Sequence, residues 1–321
     1  MTKVLNFKNK LMISLVRFLQ IKKIFNFMFE NQSGILLINK PINWTSNDVI
    51  KKLKSNFNIK KIGHAGTLDP LAKGLLPVLI NKGTKYFDHF LNFRKTYIAE
   101  ITFGFSTDTF DLEGAIINRS NGIPKNSEEI KLKLGEFIGD IKQKPPIYSA
   151  LKKDGKKLYE YARENRSVEI KARKVNVNDI KIISWNSPKL RVSIECSSGF
   201  YVRSFANDLG IILKSFAVLS ELERVQYGDF NIKNSIDIEN TDHIEQHIIS
   251  LDNLFINNQS LVLSDFDEKR YFLGNTFSDE KLPKNLLKLE DIKIYNNDNR
   301  FLGLLTFDKT KNFWKPKNII R

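Results

Sequence analysis

The stretch KIGHAGTLDPLAKGLLPVLI, residues 61–80, decides how the rest of the chain is read. It sets one carboxylate, Asp69, directly before Pro70, with Gly63 and Gly66 upstream and Gly74 and Pro77 downstream. A residue that precedes proline is driven to an extended conformation. Two readings of Asp69 follow. In one, Asp69 caps a short helix over DPLAKGLL, residues 69–76, with Pro70 at its first position. In the other, the same setting presents an ionised, pre-oriented oxygen nucleophile, favoured by the positive end of that helix. The residues of this stretch alone leave both open.

Working outward, the chain has 321 residues, which at roughly 100–200 residues per domain predicts two domains. Lysine and arginine number 51 against 36 acids, a net charge of +15. That excess favours a polyanionic partner, nucleic acid ahead of an anionic membrane. Codon usage in an AT-rich genome is a competing source of lysine. The single cysteine, Cys196, excludes an intrachain disulfide framework and a cysteine-rich zinc site. In LRVSIECSSG, residues 190–199, it shares a strand face with Leu190, Val192 and Ile194. A buried thiol is expected there, and it fits a reducing, cytoplasmic location.

Residues 1–33 read as a separate extension. LMISLVRFLQIKKIFNFMF, residues 11–29, is broken by Arg17, Lys22 and Lys23, so no apolar run reaches the ~20 residues that span a bilayer. Leu11, Leu15, Phe18 and Leu19 fall at helical spacing. An upstream start codon, with the native chain beginning near Met28, is the alternative. The extension is therefore left out of the fold reading.

From Gly34, strands and helices alternate. GILLINKP is a buried strand stopped by Pro41, and TSNDVIKKLKSNF is a helix opened by Thr45, Ser46 or Asn47. KTYIAEITFG alternates, with Tyr97, Ala99, Ile101 and Phe103 on one face. NSEEIKLKLGEFIG is a helix with Glu128 and Glu129 in its first turn. LRVSIECSSGFYVRS is a strand ending in a bend, and FANDLGIILK is the next helix. Between them, residues 139–165 interleave Tyr148, Tyr159 and Tyr161 with lysines. Such a tract suits base stacking and phosphate pairing, or a solvated surface helix. After about residue 250 the chain reads as short strands joined by turns, with a hairpin loop at YNNDNRF, residues 295–301.

Several chemistries find little footing. His243 and His247 share a helix face in HIEQH, but Glu245 points away and no third ligand is in view. Asp108, Asp111 and Glu113 in STDTFDLEG suit a divalent ion or acid/base work, and equally a loop whose acids make turns; their spacing favours the turn. There is no GxxxxGK[ST], no GxGxxG after a strand and no GxSxG.

GHAGTLDPLAKGLLPV, residues 63–78, resembles the catalytic motif of the TruB family of tRNA pseudouridine synthases. GILLINKPINWTSNDVI, KTYIAEITFGFSTDTFDLEG, KPPIYSALKKDGKKLYEYAR and GFYVRSFANDLG match family segments in the same order, over about residues 34–230. The resemblance implies a mixed α/β (α+β) fold: a largely antiparallel sheet flanked by helices, then a small β-rich, PUA-like RNA-binding domain. It divides the chain into residues 34–250, catalytic with an RNA-binding insert at 139–165, and residues 251–321.

By the same resemblance Asp69 is the catalytic nucleophile and Tyr97 stacks on the target uracil. Arg203 pairs with the aspartate, and Leu222 lines the uracil pocket. His64 occupies space left by the extruded nucleotide. Around Leu222 the sequence departs from the commoner Leu-Arg-Arg: Glu223 replaces the first arginine and Arg224 keeps the second. Asp108 and Asp111 also match family positions, without an assigned role. The implied activity is conversion of uridine-55 in the T arm of tRNA to pseudouridine, with the base flipped out. The implied protein is a cytoplasmic monomer needing no cofactor, metal, membrane or protein partner. Two rivals remain: the related guide-RNA-dependent synthase of a ribonucleoprotein, which lacks an insert like 139–165, and an RNA-folding protein whose chemistry is secondary.

Overall fold

The computed structural model describes residues 32–164, 166–240, 244–278, 282 and 291–320. The N-terminal extension up to residue 31 and His243 of the HIEQH pair lie outside the described residues.

The apolar run GILLINK forms β1 (Gly34–Lys40), buried along nearly its whole length. Helix α1 (Ser46–Asn56) starts at Thr45, whose hydroxyl accepts from the Asp48 amide while Asp48 accepts from the Thr45 amide. This reciprocal cap stabilises the helix by about 1 kcal/mol. The chain then forms β2 (Ile62–His64) and β3 (Ala72–Ile80).

The helix contemplated over 69–76 is therefore a strand from Ala72 onward, and Asp69 caps no helix. The reason is tertiary. Every residue of β3 except Lys73 is buried, and it lies between two neighbouring strands. Gly74 has a φ of 103°, and a Cβ there would stand 2.5 Å from the Arg224 carbonyl oxygen. Only glycine allows that approach.

A 3₁₀ turn leads to the short helix α2 (Phe87–Leu91), then β4 (Lys95–Phe103). The hairpin β5 (Phe105–Thr107) and β6 (Ile116–Arg119) follows. Helix α3 (Ser127–Leu134) is capped by Asn126. The basic tract 139–165 is not one surface helix. It contains β7 (Gly139–Gln143), the hairpin β8 (Lys152–Lys153) and β9 (Lys156–Lys157), and the six-residue α4 (Leu158–Arg163). Its Tyr161 is buried, with Lys156 and Arg166 over its ring. Next come β10 (Arg173–Asn186), β11 (Lys189–Cys196) and α5 (Val202–Ile212), which begins three residues earlier than FANDLGIILK suggested. The last elements are β12 (Ala217–Tyr227), β13 (Phe230–Asn231) and β14 (Ile236–Asp237).

The main sheet runs β14-β1-β3-β12-β4-β11-β10-β7, with β2 joined to β3 and β13 to β12. Only β1/β14 and β3/β12 pair in parallel; the other pairs are antiparallel. The fold is thus mixed and largely antiparallel. The core on one face joins Leu36, Ile38, Leu76, Ala99 and Ile194 to Val49 of α1 and Phe205 of α5. Cys196 is part of it and fully buried, and burial pushes its thiol up to about 12.

A second sheet holds β15 (Ser260–Val262), β16 (Phe277–Ser278), β17 (Ile292–Tyr295), β18 (Phe301–Asp308) and β19 (Phe313–Lys317), in the order β15-β17-β18-β19-β16. The strands expected from residue 260 are interrupted by a helix, α6 (Asp265–Phe272). Ser264 caps it, and Asp265, Asp267 and Glu268 occupy its first turn. The loop of YNNDNRF turns about Asn296, whose side-chain oxygen accepts from the amides of Asp298 and Arg300. Leu304 of this sheet packs with Tyr86, Phe90 and Phe255, and Lys85 Nζ donates to the Ile319 carbonyl at 2.7 Å.

Candidate active site

Asp69 sits on the loop between β2 and β3, and that loop is held at three points. Ser46, the first residue of α1, accepts from the Leu68 amide at 2.9 Å and donates to the Leu68 carbonyl at 3.2 Å. The Asn43 amide donates to the Pro70 carbonyl at 2.8 Å, and the Ala72 amide to the Asp69 carbonyl at 3.0 Å. TSND therefore serves twice: Thr45 caps the helix, and Ser46 ties down the loop bearing the carboxylate.

The carboxylate meets Arg203, near the start of α5. Arg203 Nη2 lies 2.7 Å from Asp69 Oδ2, and the guanidinium side chain is 6% exposed against 39% for the aspartate. The same guanidinium donates to the Tyr148 carbonyl at 2.9 Å and the Thr109 carbonyl at 3.3 Å, and stands 3.5 Å from Asp111 Oδ2. Asp111 is buried, and its other oxygen accepts from Thr109 Oγ1 and the Glu113 amide. Asp108 accepts from the Ala115 amide. Both acids make turns, as their spacing suggested. Asp111 in addition supplies a buried anion that fixes Arg203, and Arg203 presents a bound but half-open carboxylate to solvent.

A cleft of about 350 Å³ opens over this pair. Its wall includes Asp69, Arg203, Tyr97 of β4 and Leu222 of β12. Tyr97 and Leu222 reach one wall because β4 and β12 are neighbours, with Leu222 opposite Ala99 and Arg224 opposite Tyr97. Burial pushes the Tyr97 phenol above its ordinary value, with Arg224 acting against the shift. It is a neutral aromatic surface. His64 is not on the wall. It is the last residue of β2, with Nδ1 buried and without a partner, and burial and the Arg224 charge push its imidazole down.

Three cations were given no role by the sequence. Arg224 is almost fully buried; its Nε donates to the Leu75 carbonyl at 2.8 Å and its Nη2 to the Gly66 carbonyl at 2.9 Å. Lys40 is fully buried and donates to the carbonyls of Pro41 and Trp44 at 2.9 and 2.5 Å. Lys95 is buried on the cleft wall beside Ser198. Burial lowers both lysines to about 8; Asp69 opposes the shift at Lys40, and Arg224 adds to it at Lys95. The signal was present for two of them. Lys95 is two residues before Tyr97 and Arg224 two after Leu222, so strand alternation sets each pair on one face. Among the described residues no group of three or more His, Cys, Asp and Glu is placed to hold a metal ion.

A largely antiparallel mixed sheet flanked by helices is the pseudouridine-synthase fold. Solved structures with this fold include an archaeal box H/ACA sRNP Nop10–Cbf5 complex, at a TM-score of 0.62 and 18% identity over 92% of this chain and 87% of that one. An H/ACA RNP bound to a substrate RNA containing 2'-deoxyuridine gives a TM-score of 0.64 and 18% identity, over 92% of this chain and 86% of that one.

The sequence narrows the class. Residues 54–202 match the family model "TruB family pseudouridylate synthase (N terminal domain)". The tRNA pseudouridine synthase B of Clostridium novyi (strain NT) is 43% identical over 85% of this chain and 94% of the relative. That of Clostridioides difficile (strain 630) is 38% identical over 87% of this chain and 95% of the relative. The chain belongs to the TruB family of pseudouridine synthases.

Proposed function

We propose that the protein converts uridine-55 in the T arm of tRNA to pseudouridine, and that it does so as a single chain without a guide RNA. The observation that carries the reading is the half-exposed Asp69 carboxylate held at 2.7 Å by Arg203, beside an aromatic ring on the same cleft wall. The relatives named tRNA pseudouridine synthase B, matched over nearly their whole length, support the substrate.

Asp69 is the nucleophile. Its Oδ attacks the base at C6 or the ribose at C1′, the N1–C1′ bond breaks, the uracil turns, a C5–C1′ bond forms, and the bond to Asp69 breaks to free the carboxylate. The proton leaves C5 and N1 ends protonated, so atoms and electrons balance within the substrate. Arg203 holds the carboxylate in place and aimed. Tyr97 stacks on the detached ring, and Leu222 closes the apolar side of the pocket. His64, off the cleft wall, fills the space the nucleotide vacates in the RNA. Extruding the base costs a few kcal/mol, offset by contacts from the positive surface.

Residues 34–250 form the catalytic domain in this reading, and residues 251–321 a PUA-like domain that adds contacts to the tRNA. Among the described residues no helix is long and apolar enough to cross a membrane, and a cytoplasmic site of action follows from the substrate. Mapping pseudouridine in unmodified tRNA incubated with the purified chain tests the reading. Modification at the T-arm uridine alone, with no guide RNA added, is expected. Unmodified tRNA after prolonged incubation would overturn it.

A further inference from the structure

The cleft carries more positive charge than the carboxylate chemistry uses. Its wall presents Lys95, Arg203 and Arg224 against one carboxylate, Asp69, which Arg203 already engages. Lys95 is the anomaly. It is buried, and its ammonium donates to Ser198 Oγ, which donates in turn to the Leu91 carbonyl. The same ammonium stands 4.5 Å over the Tyr227 ring. Among the described residues no carboxylate pairs with it, and the charge of another cation, Arg224, acts against its protonation. A desolvated ammonium without an anion is costly. Two of its three N–H groups remain to be satisfied, at a wall that opens to a cavity.

Its place in the strand says what it faces. Lys95 and Tyr97 are two apart on β4 and so on one face, roughly 6.7 Å along the strand. Beside Lys95 the turn Ser197–Ser198–Gly199 lines the cleft, with a hydroxyl at Ser198 and left-handed backbone at Gly199 (φ 86°). An ammonium beside a glycine turn that lets an anion approach the backbone forms an anion seat. Resting on the reading that Tyr97 stacks on the extruded uracil, we propose that Lys95, positioned by Ser198, holds one of the two phosphates flanking that nucleotide. Lys95 is then a substrate-binding residue, and its ammonium gains its counter-ion only when the nucleotide enters. The phosphate anchors the backbone end of the nucleotide while its base is detached and turned.

The test uses a T-arm hairpin with a neutral methylphosphonate at the linkage 5′ or 3′ to the target uridine. Lys95→Met is expected to raise KM about tenfold or more, with kcat changed by only a few-fold. Its slope of log KM against log salt should fall by about 0.7. Lys95→Arg should restore most of the KM, and Ser198→Ala should raise it by a few-fold. One of the two neutral linkages should raise KM of the native protein similarly, yet leave KM of Lys95→Met unchanged. Additive effects of Lys95→Met and both neutral linkages would overturn the proposal. So would lowered thermal stability with KM and salt slope intact, which would leave Lys95 a structural cation on Tyr227. Absence of turnover on the unaltered hairpin with the native protein would instead overturn the reading of the site, and this proposal with it.

Discussion

The middle of the main sheet and the C-terminal sheet are both built from alternating strands, yet they treat charge in opposite ways. The C-terminal core is Leu263, Tyr271, Phe277, Ile292, Ile294, Leu302, Leu305 and Trp314. Its ion pairs, Lys315–Asp308, Lys317–Asp291 and Arg270–Asp267, sit at its surface. The main sheet buries Lys40, Lys95, Asp111, Arg203 and Arg224. Burying charge is a poor route to stability, since the loss of hydration rivals the Coulombic gain. The second sheet shows that this chain can build a core without it. The charges in the first sheet are accordingly read as serving the site.

Arg203→Met gives the largest expected contrast. It leaves Asp111 buried without its cation and frees Asp69, so stability should fall by about 3–5 kcal/mol and turnover should be lost. Denaturant unfolding and a turnover assay on the soluble fraction measure both. A fully stable variant would mean that Asp111 does not depend on Arg203. Trp314→Ala, in the other sheet, should also cost about 3–5 kcal/mol through the cavity it leaves. In its folded fraction kcat on a T-arm hairpin should be unchanged. A matching loss of kcat would show that the two sheets are not separable in function.

A pH series sharpens the same comparison. Lys40 and Lys95 titrate near 8 when folded but near their ordinary 10.5 when unfolded. Between those values the unfolded chain binds more protons, so these lysines make stability rise with pH. The penalty for burying them charged is fully present below about pH 8 and is relieved as pH climbs toward 10.5. Each adds a slope of roughly 1 kcal/mol per pH unit in that window. The slope should shrink in Lys95→Met; an unchanged slope would mean the lysine is solvated. The smallest effect is expected at the C-terminal surface. Lys315→Ala breaks an exposed pair with Asp308 and should leave the thermal midpoint unchanged within error.

Much of the site was legible because strand periodicity is a short-range signal. Tyr97 with Ala99 and Ile101, and the buried face ending at Cys196, could be read directly from alternation. The order of motifs then carried Asp69 and Arg203, which are 134 positions apart, to one family site. What stayed hidden was set by tertiary contacts. DPLAKGLL has acceptable helix chemistry, and its burial between two neighbouring strands, with Gly74 close against Arg224, makes it a strand from Ala72 onward. Helix α6 hid among apolar residues that read as strands, although Ser264 with Asp267 announced its cap. The tyrosines of 139–165 looked free for bases, but Tyr161 is buried against the chain's own Lys156 and Arg166. Lysines 40 and 95 were not singled out, because composition cannot tell a solvated ammonium from one folded under a sheet.

The account stands or falls on the Asp69 carboxylate acting on substrate. The most direct measurement compares Asp69→Asn with the native chain on a T-arm hairpin, following pseudouridine formation and RNA affinity together. Asparagine keeps the shape and leaves Leu68, Pro70 and Ala72 free to hold the loop, so the variant should fold and bind within a few-fold of native. Its turnover should be undetectable. Pseudouridine formed at a rate near that of the native protein would contradict the account.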